Sequence, residues 1–321
     1  MKYTDTGKKD TRSGFGAGLY EAGKQDSRVV ALTADLKGSL KMDKFADEFP
    51  ERFVQCGIAE ANMIGVAAGL AITGKIPFAG SFAEFVTGRV YDQIRQEVCY
   101  GETNVKIAAS HAGITLGEDG ATHQTMEDIA LMRALPGMVV INPCDYNQTK
   151  AATIAAARYN GPVYLRFGRP SVPNFTPEDQ EFEIGKAYKL RNAKDMNKKV
   201  AVFSTGAILE ETSKACDMLE ENGIAVEQYS FPTVKPIDRK VIEDCANRFD
   251  NIFTVEEHNI VGGFGGAVAE VLAECGGKAK LHRIGIDDFY CIEVGSQAYL
   301  REQVGINAEG IVRKVKGVFG E

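Results

Sequence analysis

The stretch from Ser110 to Gln124, SHAGITLGEDGATHQ, holds two of the chain's four histidines, His111 and His123, beside the acids Glu118 and Asp119. Histidine is the side chain best suited to exchange a proton near neutral pH. Gly113, Gly117 and Gly120 punctuate a segment too polar for a core strand and a poor helix. It reads as a loop whose backbone turns sharply or lies close to a ligand. Two readings stay open from these residues: proton-transfer or hydroxyl-binding groups, or two histidines on a surface loop.

Glu60 is the second candidate. It opens Glu60–Thr73, EANMIGVAAGLAIT, a run of small and apolar residues. On its own it is a first-turn glutamate complementing the helix dipole; the other reading is a partly desolvated, functional carboxylate. Phe82 and Phe85, in SFAEFV, are spaced to pack into a core or to stack on a flat ring. Gly262–Gly266, GGFGG, does not match GxGxxG and reads as a tight turn. GxxxxGK[ST], HExxH and GxSxG do not occur, so P-loop, zincin and hydrolase-elbow chemistry have no support.

The elements that must position these residues alternate. Strands are expected at Val29–Thr33, Phe53–Gln55, Val105–Ala109, Met138–Ile141 and Val163–Arg166. Helices are expected at Glu60–Thr73, buried all round, and at Thr87–Cys99, Met126–Leu135 and Tyr146–Ala157. The proline-rich, acidic stretch Gly168–Glu183 reads as a linker. Strand–helix alternation then resumes from Val200 to Ile286. The fold class is therefore α/β, two domains with mainly parallel sheets flanked by helices, residues 1–183 and 184–321. Ligands of such sheets bind beyond the carboxyl ends of the strands, which is where the His111 loop emerges.

The chain has 321 residues, 44% of them hydrophobic, with a formal net charge of −7. Its lysines and arginines are scattered, which argues against nucleic-acid binding. One or two placed arginines suffice for a phosphorylated substrate. The seven cysteines have long spacings and no CxxC pair, so free thiols of a reducing compartment are expected. No signal or membrane segment is legible, and a cytoplasmic location is expected.

Taken together, the segments resemble the carboxyl-terminal part of transketolase: TRSGFG at Thr11, TADLKGS at Thr33, GIAEANM at Gly57, GSFAEF at Gly80, SHAGITLGEDGATHQ, and LRFGRPSVP at Leu165. The second domain is similar through TVKPID and TVEEHNIVGGFG. The resemblance implies a pyrimidine-binding domain followed by a transketolase C-terminal domain. The implied chain is the second subunit of a split, thiamine diphosphate-dependent transketolase that moves a two-carbon ketol unit between sugar phosphates of the pentose phosphate pathway. It further implies an N-terminal partner subunit holding the diphosphate and its magnesium (or calcium), with this chain homodimerising inside a heterotetramer.

By residue, Glu60 matches the carboxylate at N1′ of the aminopyrimidine, Phe82 and Phe85 the aromatics around that ring, and Asp35 an acid near the cofactor. His111, Asp119 and His123 match the substrate channel. Arg12, Ser39 and Arg169 match a sugar-phosphate clamp. No metal ligand is expected here. Two positions depart from the pattern: Gly88 replaces a tyrosine and Asn62 a histidine. Alternatives are a deoxyxylulose phosphate synthase-like enzyme, a 2-oxoacid dehydrogenase beta subunit, or a non-catalytic assembly subunit.

Overall fold

Val29–Thr33, Lys106–Ser110 and Val163–Arg166 are buried at every position. Strands covered on both faces belong to a parallel sheet lying between helices. The computed structural model describes residues 7–320 and shows that arrangement. Its strands are β1 (Lys8–Asp10), β2 (Val29–Thr33), β3 (Phe53–Gln55), β4 (Ile76–Phe82), β5 (Lys106–Ser110), β6 (Val139–Ile141), β7 (Val163–Arg166), β8 (Ser171–Pro173), β9 (Tyr188–Arg191), β10 (Lys199–Ser204), β11 (Ala225–Ser230), β12 (Thr233–Lys235), β13 (Asn251–Asn259) and β14 (Lys280–Ile286).

One sheet runs β12-β6-β7-β5-β4-β2-β3, and a second runs β14-β13-β10-β11-β9. Both are parallel apart from one edge strand each: β12 is antiparallel to β6, and β9 to β11. β12 follows β11 in the chain yet pairs with the first sheet, so the C-terminal half closes that sheet's edge. No helix among the described residues is long and apolar enough to cross a membrane.

Three expectations are corrected. Gly168–Glu183 is not a loose linker: β8 pairs with β1, and buried Asp145 accepts the backbone N–H groups of Phe175 at 2.6 Å and Thr176 at 2.8 Å. The expected helix Thr87–Cys99 breaks into a 3-10 turn, Gly88–Val90, a short α segment, and a wider π-type turn, Ile94–Tyr100. The helix Glu60–Ile72 buries one face only, through Glu60, Met63, Ile64, Ala67 and Ala68.

Helix Thr11–Gln25 went unread in the sequence because glycines at 14, 16, 18 and 23 weaken its helical signal. Two of them permit close helix–helix contact. A Cβ on Gly14 would lie 2.4 Å from the Tyr146 carbonyl oxygen, and one on Gly18 2.6 Å from Cβ of Thr153. The helix therefore lies flush on Tyr146–Arg158 and brings Arg12, in its first turn, to the carboxyl ends of the strands.

Candidate active site

Every expected site residue comes from a segment that follows a strand of the first sheet or starts a helix beside it. The strands concerned, β7-β5-β4-β2-β3, are neighbours. Glu60 starts the helix after β3. Phe82 ends β4, and the backbone N–H of Phe85 turns back onto the Phe82 carbonyl at 2.9 Å. His111 follows β5 directly.

The side chains meet. Glu60 is 4% exposed, and its Oε1 accepts the Ser81 hydroxyl at 3.5 Å. Its Oε2 pairs with the Arg89 guanidinium at 3.3 Å. The rings of Phe82 and Phe85 stack with centroids 5.9 Å apart. Phe82 lies 4.2 Å from the His111 ring, and Phe85 meets the His123 ring edge-on at 5.3 Å. Phe82 and Phe85 thus join both loop histidines, and Arg89 links Phe85 to the buried carboxylate.

The hydrogen bonds of His111 fix its tautomer. Arginine only donates, so Nε2, 3.3 Å from Arg12 Nη1, is the acceptor. Nδ1 therefore carries the proton and donates to Ser110 Oγ at 2.7 Å. Burial, then the cations Arg12, Arg169 and Lys41, push the imidazole down to about 3. A histidine held there is neutral throughout the physiological range. Its backbone is also left-handed, with φ 58°, a conformation uncommon outside glycine. His123 is less enclosed, and its Nδ1 lies 2.9 Å from the Thr122 hydroxyl.

Arg12 also donates to the Ser39 carbonyl at 3.1 Å. Burial lowers its proton affinity, Asp10 at 3.4 Å opposes that, and the nearby Arg169 charge adds to the lowering. Two cations in one another's field favour an anion between them. Arg169 contacts Glu118 at 3.5 Å and Asp119 at 3.7 Å. Arg166, by contrast, is locked with buried Asp128 at 2.7 Å. Asp35 stands apart from the rings: it is exposed at the end of β2, with its backbone N–H held by the Gln55 side chain at 2.7 Å.

The loop is braced from the second domain. Glu257 accepts the Ile114 N–H at 3.2 Å, the Gln297 amide at 2.8 Å and Arg301 Nε at 2.7 Å. Gly113 is required beside it: its φ is +66°, and a Cβ would lie 2.7 Å from Glu257 Oε1.

Three neighbours of the site were missed in the sequence. Arg89 sits on Phe85, four residues before it, as helical spacing allows. Glu84 is pushed up to about 7 by burial and by Glu127. Gln124 is buried with neither side-chain polar atom hydrogen-bonded to protein. Among the described residues, the one cluster of metal-ligand types is Glu227, Asp244 and Cys245, and Arg248 already bridges its two acids.

The fold and site define a two-domain α/β protein whose ligand surface lies at the carboxyl ends of parallel strands and is braced by its second domain. Residues 7–174 match the family "Transketolase, pyrimidine binding domain", and residues 188–311 match "Transketolase, C-terminal domain". A protein of Methanocaldococcus jannaschii that carries the name transketolase C-terminal section is 47% identical over 96% of this chain and 95% of its own length. A 6-deoxy-6-sulfo-D-fructose transketolase subunit of Clostridium sp. is 41% identical over 92% of this chain and 90% of its own. A solved split-gene transketolase, described as an inactive beta4 tetramer, superposes with a TM-score of 0.87 at 42% identity, over 96% of this chain and 97% of that one. The chain belongs to the transketolase family and corresponds to its C-terminal part.

Proposed function

We propose that this chain supplies the pyrimidine side and the sugar-binding wall of a thiamine diphosphate-dependent transketolase site. The reaction moves a two-carbon ketol unit from a ketose phosphate to an aldose phosphate. A separate N-terminal subunit holds most of the diphosphate and its magnesium (or calcium). The carrying observation is that Phe82 and Phe85 join His111 and His123, with Arg89 linking Phe85 to Glu60.

The donor set fits the group. Phe85 already carries a flat group on its face, the Arg89 guanidinium, beside a carboxyl that can hold a proton. Bound thiamine diphosphate supplies the electron sink that breaking a carbon–carbon bond beside a carbonyl demands. Glu60, steadied by Ser81, holds the proton at N1′, and Phe82 and Phe85 flank the ring. Asp35 would be an acid near the cofactor. His111, neutral, would meet a sugar hydroxyl through Nε2 by exchanging its contact with Arg12 for one with the substrate. Asp119 takes a donor hydroxyl, and His123 serves the reacting carbonyl oxygen. Arg12, Ser39 and Arg169 clamp the phosphate with directional, charge-assisted bonds.

The test is reconstitution. The chain alone is expected to be inactive. With its N-terminal partner, thiamine diphosphate and magnesium, it is expected to turn over xylulose 5-phosphate and ribose 5-phosphate. Glu60→Ala in that complex should lose about a hundredfold or more of the rate; full activity in the variant refutes the reading. A donor panel that includes 6-deoxy-6-sulfofructose decides which sugar is preferred.

A further inference from the structure

Arg89 lies in the Gly88–Val90 turn that follows Phe85. Its guanidinium carbon stands 4.1 Å from the centroid of the Phe85 ring, and its Nη1 is 3.3 Å from Glu60 Oε2. It engages the aromatic face and the buried carboxylate together. An aminopyrimidine that stacks on Phe85 and hydrogen-bonds Glu60 needs the same two groups. We propose that Arg89 is a place-holder: without cofactor its guanidinium fills the aminopyrimidine slot, and it withdraws to solvent when the ring enters. This rests on the function proposed above.

Three further observations support it. First, chemistry makes the two occupants exclusive. A carboxylate paired with a guanidinium is an acceptor only, whereas a carboxyl that donates to a ring nitrogen must carry a proton. Arg89 must leave Glu60 before Glu60 can serve the ring. Second, the side chain has somewhere to go. Arg89 is 52% exposed and Glu60 only 4%, so withdrawal strands no buried cation. Third, the turn is uncrowded beside Arg89. Gly88 has no side chain, and a Cβ there would meet only Glu84 Oε1, at 3.8 Å.

The hold is weak by construction. A half-exposed ion pair and one cation–π contact each contribute little. Their loss should tighten cofactor binding by about threefold to tenfold. Binding of thiamine diphosphate to the reconstituted two-subunit complex, with magnesium, is measured by titration calorimetry. Arg89→Ala is expected to bind three- to tenfold more tightly than wild type. Arg89→Met, which keeps the apolar stem on Phe85, should also tighten binding, and it serves if the alanine variant fails to assemble. Ethylguanidinium at a non-denaturing concentration should then weaken binding to Arg89→Ala more than to wild type, because it refills the vacated slot. Unchanged or weaker binding in both variants overturns the proposal, weaker binding making Arg89 a cofactor ligand instead. A wild-type complex that binds no thiamine diphosphate overturns the functional reading, and this inference with it.

Discussion

His111 shows how environment sets a residue's protonation state. Its type pointed to proton transfer, but burial and the cations of Arg12, Arg169 and Lys41 hold it near 3, well below the value of about 6.5 for a free imidazole. Between those two pH values the unfolded chain binds the extra proton and the folded chain does not. Stability from this group is therefore complete above about pH 6.5 and declines as pH falls, by at most about 1.4 kcal/mol per unit. His258, fully buried and near 4, slopes the same way. Glu84 and Glu256, both raised to about 7, slope the opposite way, so the comparison isolates His111: between pH 7 and pH 5 the melting temperature of His111→Asn should lose less, or gain more, on acidification than that of wild type. Parallel pH slopes in scanning calorimetry would show that His111 is not held neutral by the fold.

The bracing of the histidine loop from the second domain belongs to the scale of elements. Glu257 sits in β13, yet three of its hydrogen bonds join the loop's Ile114 to Gln297 and Arg301 of the helix Gln297–Gln303. Arg301 is 4% exposed, so removing Glu257 leaves a buried cation unpaired, a loss of about 3–5 kcal/mol. Glu257→Ala is expected to lower the denaturant midpoint accordingly and to speed amide exchange at Ile114. An Ile114 amide that stays as protected as in wild type would separate the loop from this brace. The brace was not legible beforehand. The α/β alternation was, because buried parallel strands such as Val163–Arg166 are short β-branched or aromatic runs. Helix Thr11–Gln25, with its packing glycines, was not. The strap after Gly168, whose prolines resemble those of a linker, was misread, because tertiary pairing of β8 with β1 and Asp145 with Thr176 decides its structure. For the site, the resemblance supplied the positions, and the geometry added Arg89, Glu84 and the tautomer of His111.

At the scale of the whole molecule, the helix that carries Glu60 is incompletely covered. Its sequence is apolar enough to be buried all round, yet this chain covers only one side, leaving Ile72 78% exposed at its end and Ile58, just before its start, 79% exposed. Tyr100, at the end of the π-type turn packed near it, is 84% exposed. Apolar surface of this kind marks a contact with another chain, and the split-gene relative is described as a tetramer of such chains. A subunit that covered this side would also hold the helix whose first residue is the proposed catalytic carboxylate. Ile58→Asp and Ile72→Asp test this. Both side chains are exposed in the single chain, so each change should alter its intrinsic stability by no more than about 0.5 kcal/mol. An interface is far less tolerant, since the new carboxylate would be desolvated without a partner. Analytical ultracentrifugation is expected to show wild type as an oligomer and the double variant shifted toward monomer. Cofactor binding in the reconstituted complex should weaken in step, because the helix N-terminus loses its support. If the double variant sediments as wild type does, the exposed face lies outside the assembly, and Glu60 is positioned by this chain alone.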